Sequence, residues 1–148
     1  MKPEISRVLE VCAIGLMGDV APHVAPSYRQ ATVFSTAVIL SSVREELDRI
    51  AERRVVENAA LRALFADATS VVSDPGLRQR LESASAGSDT DYRISALDAA
   101  NDALRALLIE LHVQVESLDS DAARRLESEI WRELSKSTER RKLSLGAF

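Results

Sequence analysis

The sequence contains a single cysteine, Cys12, among its 148 residues. One thiol excludes an internal disulfide and any zinc site that needs several cysteines. Cys12 follows Ile5 and Leu9 at helical spacing, so we expect a buried structural thiol on an apolar helix face. The two histidines lie in unrelated contexts. We therefore predict no metal site and no cofactor.

Glycine, proline and aromatic residues are also scarce. The chain has five glycines, four prolines and 4% aromatic residues, so Leu, Val, Ile and Ala must supply the core. The glycines are scattered and form no phosphate-binding loop, dinucleotide fingerprint or nucleophile elbow. Because no catalytic motif is recognisable, we predict no catalytic residues and favour a protein that is not an enzyme.

Excess positive charge and long apolar runs are missing as well. Lys and Arg number 19 against 23 Asp and Glu, a net charge of -4, whereas nucleic-acid binding needs a concentrated positive surface. The longest uncharged run, residues 30–43, is shorter than the about 20 residues that span a bilayer. The N-terminus shows no secretory signal. We expect no nucleic-acid or membrane partner and a cytoplasmic location.

Helical periodicity is the strongest pattern that the sequence does contain. In residues 94–118 apolar side chains recur at alternating spacings of three and four, and one polar residue, Asn101, interrupts them. This spacing keeps one stripe of an α-helix facing a partner. No long segment shows the sustained alternation typical of strands. The sequence therefore predicts an all-α fold, an up-down antiparallel bundle of about five helices.

Glycine and proline positions suggest where the helices begin and end. Within a single domain of residues 1–148 we expect helix 1 over 1–18, a proline-containing linker over 19–26, the main bundle over 27–142 and a tail over 143–148. Ser27 and Gln30 match a capping box at the start of the second helix. Asp74 and Pro75 are typical of the cap and first turn of a short helix.

The middle of the chain predicts one long central helix. Residues 28–72 contain neither glycine nor proline, and we favour a single helix, bent or unwound near 52–58, over two separate helices. The apolar seam of its first half continues into Arg54 and Glu57. We expect these two residues to form a solvated pair while the inward face moves to Ala51, Val55 and Ala59.

Four residues are candidates for an interface or a polar core: Asn101, Arg54, Glu57 and His112. Asn101 admits two interpretations. It pairs with a polar residue across the seam and fixes register or oligomeric state, or it joins Arg54 or His112 to line a polar pocket. His112 precedes Glu116 by one turn, so we expect an ordinary boundary pair.

One short segment carries a family resemblance. Residues 42–54, Ser-Val-Arg-Glu-Glu-Leu-Asp-Arg-Ile-Ala-Glu-Arg-Arg, resemble the opening helix of the all-helical chorismate mutases, over about a tenth of the chain. The resemblance implies basic and polar side chains inside a helical bundle. That family also uses a lysine in its pocket, whereas this sequence has none between Lys2 and Lys136. No residue role is transferred from it.

Two functional classes follow from the pattern. The first is a non-enzymatic helical protein that self-associates or scaffolds a protein partner, with a homodimer built on the long helix and the 94–118 helix as an optional second contributor. If Asn101 lies in that interface, Asn101→Leu should raise thermal stability and broaden the assembly. The alternative is a bundle that holds a small apolar ligand between helices, which the small residues of 31–42 would permit. The biological role itself has no sequence signal.

Overall fold

The computed structural model describes residues 4–143, and over this range the protein consists of helices and connecting turns without strands. The five α-helices are α1 Ile5–Gly15, α2 Ser27–Ala68, α3 Pro75–Ser85, α4 Ile94–Glu116 and α5 Asp121–Arg140. This confirms the predicted all-α bundle with one long helix. The predicted start of helix 1 and nearly all of the tail over 143–148 lie outside the described residues.

The chain divides into two compact units, with the boundary inside α2. The N-terminal unit comprises Met1–Ile50 and Leu143–Phe148, and the C-terminal unit comprises Ala51–Lys142. Helix α2 runs without a break through the boundary, so one continuous helix is confirmed over two separate ones. The assignment of the whole chain to a single domain stays a prediction.

In the N-terminal unit the break between α1 and α2 is shorter than the predicted linker. A π-helical turn over Leu16–Val20 and a 3-10 turn over Ala21–His23 follow α1 directly. Pro22 is tolerated because it lies in the first turn of the 3-10 segment, where its missing N–H costs no hydrogen bond. The Pro26 carbonyl accepts from the backbone N–H groups of Arg29 and Gln30. Pro26 therefore caps α2, and the capping box predicted at Ser27 is wrong.

Only small side chains are buried among the described residues of the N-terminal unit. They are Ala13, Ala21 and Ala37. Cys12 is exposed, so the predicted buried thiol is wrong. Its apolar helix face exists, but the large side chains on α1 remain accessible too, with Ile5 at 59% exposure. Within residues 4–143 no side chain packs over this face closely enough to bury the thiol.

The C-terminal unit has a conventional apolar core. Its fully buried large side chains come from all four helical segments and include Phe65, Leu81, Leu111 and Ile130. The predicted seam is confirmed from Leu97 to Val115, since Leu97, Leu104, Leu108, Leu111 and Val115 are buried on α4, whereas its first member, Ile94, is exposed. The Asp74 carboxylate accepts from the Leu77 N–H and caps α3, as the sequence predicts.

Two details concern which residues face this core. Trp131 is 56% exposed, because Ile130 takes the inward position and the next residue on a helix points about 100° away. On α2 the inward face does not move to Ala59, which is exposed; it passes through Glu57 and Asn58, which are buried. No helix within residues 4–143 combines the length and apolar character needed to cross a bilayer.

Candidate functional site

Glu57 is the centre of a buried polar cluster in the C-terminal unit. Only 1% of this residue is exposed. Its Oε1 accepts a hydrogen bond from Ser137 Oγ at 2.9 Å and one from Arg141 Nε at 3.1 Å. Arg141 Nη2 donates to Oε2 at 2.9 Å. The Arg141 fork therefore grips both carboxylate oxygens, the strong geometry for this pair.

Two further guanidinium groups surround the same carboxylate. Arg54, one turn earlier on α2, donates from Nη1 to Glu57 Oε2 at 3.1 Å and from Nε to the Asp98 carboxylate on α4. Arg105 Nη2 on α4 lies 3.8 Å from Glu57 Oε2 and donates to Ser137 Oγ at 2.7 Å. Three guanidinium groups thus surround one buried carboxylate, and one of them, Arg54, is shared with Asp98.

A pair of buried asparagines extends the cluster between α2 and α4. Asn101 Nδ2 donates to Asn58 Oδ1 at 2.9 Å, and Asn101 Oδ1 accepts from Arg105 Nε at 3.0 Å. Asn58 Nδ2 in turn donates to the Asp89 carboxylate, which also accepts from Arg62. We call the following residues the polar cluster: Arg54, Glu57, Asn58, Asn101, Arg105, Ser137 and Arg141.

The charges of the cluster hold Glu57 ionised. Burial by itself would raise the pKa of Glu57, but the hydrogen bonds from Arg141 and Ser137 and the charges of Arg141 and Arg105 outweigh it and lower the pKa to about 2. Burial also opposes ionisation of Asp89, and the hydrogen bonds from Arg62 and Asn58 lower its pKa nonetheless. Both carboxylates are anionic at neutral pH and accept hydrogen bonds only.

The space beside Glu57 is very small. A cavity of about 10 Å³ lies between Glu57, Arg105 and Ser137 on one side and Leu61, Leu108 and Leu134 on the other. That volume has room for roughly one water molecule. The carboxylate is occupied by side chains of its own chain, and the cluster therefore ties helices together and leaves no room there for a substrate.

Three of the four candidate residues meet in this cluster. Arg54 and Asn101 both donate to Glu57 Oε2, at 3.1 Å and 3.5 Å, whereas His112 lies two turns beyond Arg105 on α4. There its Nε2 is 3.5 Å from Glu116 Oε1, the boundary pair that the spacing predicts. The prediction that Arg54 and Glu57 form a solvated pair is wrong. Glu57 is buried because its partners on α4 and α5 offset the desolvation of its carboxylate.

Sequence reasoning missed the other members of the cluster. These members lie on three different segments, and nothing in their local spacing distinguishes them from ordinary surface residues. They are Asn58, Arg105, Ser137 and Arg141. One signal was available: the apolar seam of α2 runs into Glu57, and the seam of α4 is interrupted by Asn101. Two seams that each turn polar once are expected to face each other there, since a buried polar group needs a partner.

Comparison of the chain with protein-family models, with curated proteins and with solved structures finds no match.

Proposed function

We propose that this chain is a non-enzymatic, self-associating helical protein, and that the apolar helices of its N-terminal unit are buried against a second copy. The observation that carries the proposal is the contrast between composition and burial in that unit. Its described buried residues are three alanines, while large apolar side chains of α1 and α2 are exposed. Contiguous exposed apolar surface in a protein marks an interaction site.

The exposed side chains form stripes along the helices. On α2, Ile39, Val43 and Leu47 follow one another at spacings of four and are 60%, 47% and 41% exposed. On α1, Val11 and Ile14 are 55% and 59% exposed. A stripe with this period is the pattern of a helix that faces another helix.

A second copy is the occupant that needs the fewest assumptions. A two-fold interface requires one self-complementary patch, and an apolar helix stripe can pack against the same stripe of a partner.

The polar cluster of the C-terminal unit supports the non-enzymatic part of this proposal and not the self-association. Its members hydrogen-bond one another across α2, α4 and α5, and a network of this kind specifies register at a cost in stability. We infer that it fixes the packing of the C-terminal unit. The alternative function, binding of a small apolar ligand, is disfavoured at this place because the cavity beside Glu57 is only about 10 Å³.

The decisive experiment measures molecular mass against concentration. Light scattering and sedimentation of the untagged chain should show a dimer that dissociates on dilution. Ile39→Glu and Val43→Glu place a charge in the α2 stripe, so each should yield a monomer with an unchanged helical circular dichroism spectrum. A wild-type monomer at high micromolar concentration would sink the proposal.

A matched control lies on α4. Ile109 is 66% exposed, close to the exposure of Ile39, so Ile109→Glu makes the same chemical change on the C-terminal unit. We expect this variant to remain dimeric. If Ile109→Glu dissociates the dimer and Ile39→Glu does not, the interface is on α4 and the role given to the N-terminal unit is wrong. Mass that fits one chain plus a co-purified protein would favour a scaffold over self-association.

A further inference from the structure

We propose that His112, Glu116 and Glu127 form a binding site for a divalent transition-metal ion, with Zn²⁺ as the ion of best fit. His112 and Glu116 lie one turn apart on α4, and Glu127 lies on α5. Each offers one ligand atom, and these atoms all lie within 4.8 Å of one another. The site is separate from the polar cluster and does not depend on the proposed self-association.

The strongest observation is the state of the His112 ring. Its Nε2 is shielded from solvent and has no hydrogen-bond partner among the residues that the structure describes. The Glu116 carboxylate is 3.5 Å away, at the limit of hydrogen-bonding distance. Buried polar nitrogens are normally satisfied. An imidazole nitrogen that faces two carboxylates without a bond is placed as a metal ligand would be.

The ring is also held in position. Trp131 on α5 meets it edge to face, with the ring centroids 5.2 Å apart and the planes at 81°. The His112 side chain is 19% exposed, whereas Glu116 is 55% exposed. A nitrogen ligand held by ring packing is therefore combined with one exposed carboxylate, Glu116, and one half-buried carboxylate, Glu127. Such a site allows an ion to enter from solvent and the carboxylates to close on it.

The ligand set selects the kind of ion. One imidazole and two carboxylates suit Zn²⁺ and related borderline ions better than Mg²⁺, which prefers oxygen and retained water. Tetrahedral bonds of about 2.1 Å place ligand atoms about 3.4 Å apart, so a small rotation of the glutamates is enough for closure. Three protein ligands would leave a fourth position for water.

This inference departs from the sequence-based expectation of no metal site. The sequence shows His112 and Glu116 at i and i+4, which is equally typical of an ion pair. Only the α4–α5 packing brings Glu127 to the same point. The metal would join the two helices next to the turn between them, so binding should stabilise the C-terminal unit.

Trp131 provides a direct readout because it is the only tryptophan of the chain. The experiment uses the untagged full chain after dialysis against a chelator. Titration with Zn²⁺ in a calorimeter should give one ion per chain, and Co²⁺ should quench the Trp131 fluorescence until Zn²⁺ displaces it. Excess Mg²⁺ should not compete. Failure to bind Zn²⁺ or Co²⁺ at submillimolar concentration overturns the proposal.

Variants test the three ligands. His112→Ala and Glu127→Gln should each weaken Zn²⁺ binding by about 100-fold or more, since each removes one of only three protein ligands. Glu127→Gln keeps the shape of the side chain, so it serves even if His112→Ala changes the packing against Trp131. Glu129→Gln makes the same change two residues away on α5, and His23→Ala removes the other histidine.

These two control variants should bind Zn²⁺ as the wild type does. Unchanged affinity in both His112→Ala and Glu127→Gln would show that the ion binds elsewhere and overturn the site. A loss in Glu129→Gln equal to that in Glu127→Gln would do the same, since it would indicate that any carboxylate on this part of α5 attracts the ion.

Discussion

The N-terminal unit leaves Ile5, Ile14 and Ile39 accessible, whereas the C-terminal unit buries Glu57 and Asn58 almost completely. This is the reverse of what residue type alone would suggest. The difference lies in what each helix packs against. In the C-terminal unit other helices provide hydrogen-bond partners for Glu57 and Asn58. In the N-terminal unit the described residues do not bury the apolar stripes of α1 and α2.

The largest expected effect compares two phenylalanines on α2. Phe65 is completely buried, and Phe34 is 49% exposed. Phe65→Ala removes a large core side chain and should lower the free energy of unfolding by about 4 kcal/mol. Phe34→Ala should change the stability of the dilute monomer by about 0.5 kcal/mol or less. Urea unfolding followed by circular dichroism measures both. Equal losses would mean that the N-terminal unit has a core of its own.

The next effect concerns the buried carboxylate. Glu57→Gln removes the buried negative charge that Arg54, Arg105 and Arg141 share, although Arg54 keeps its pair with Asp98, so we expect a loss of about 3 kcal/mol. Glu52→Gln makes the same change at an exposed position on the same helix and should fall within about 0.5 kcal/mol of wild type. The same urea series provides the measurement. A neutral Glu57→Gln would show that the guanidinium groups relax into solvent.

Acid should reveal the same interaction. The pKa of Glu57 is lowered from 4.5 to about 2. Between these two pH values the carboxyl group is protonated in the unfolded chain and ionised in the folded chain. The stabilisation is therefore complete above pH 4.5 and is lost as the pH falls toward 2. At 1.36 kcal/mol per pKa unit it amounts to about 3 kcal/mol. The difference in stability between wild type and Glu57→Gln should shrink over this range.

A constant difference between the two proteins from neutral pH down to about 2 would contradict the lowered pKa of Glu57. The comparison with the variant is needed because the lowered pKa of Asp89 adds acid sensitivity of the same sign. That contribution is present in both proteins and cancels in the difference.

The elements were predictable to different degrees, because the residues that interact in them lie at different separations along the sequence. The seam of α4 and the cap at Asp74 depend on neighbours three or four residues away, so periodicity was sufficient. Burial of Glu57 depends on Ser137 and Arg141, which are 80 and 84 residues distant. No local pattern encodes such a partner. The prediction that Cys12 is buried was wrong for a different reason. The local spacing does give an apolar helix face, but burial of the thiol also requires a covering surface, which no local pattern encodes.

Asn101 separates register inside one chain from register between chains. It is 2% exposed and bonded within its own C-terminal unit, so the condition for Asn101→Leu to stabilise a dimer is not met. Leucine would leave Asn58 Oδ1 and Arg105 Nε without their partner, and we expect a loss of about 1–3 kcal/mol with no change in oligomeric state. Thermal unfolding and light scattering test the two parts. Increased stability would contradict the described network.

An Asn58→Ala and Asn101→Ala cycle sharpens this result. If the two amides act through each other, the double variant should lose less stability than the two single variants together. Strict additivity would mean that Asp89 and Arg105 carry the interactions independently.

The smallest effect is a rate, and it asks whether α1 belongs to the surface that a second copy covers. Cys12 is exposed on α1, so a thiol reagent such as Ellman's should label it completely in the folded, dilute chain without denaturant. Above the dimer dissociation constant the labelling rate per chain should fall, because a closed interface hides the sulfur. Ile39→Glu should label at the dilute rate at every concentration. If the wild type dimerises with no change in labelling, the interface uses α2 without α1, and the exposed stripe of α1 needs another partner.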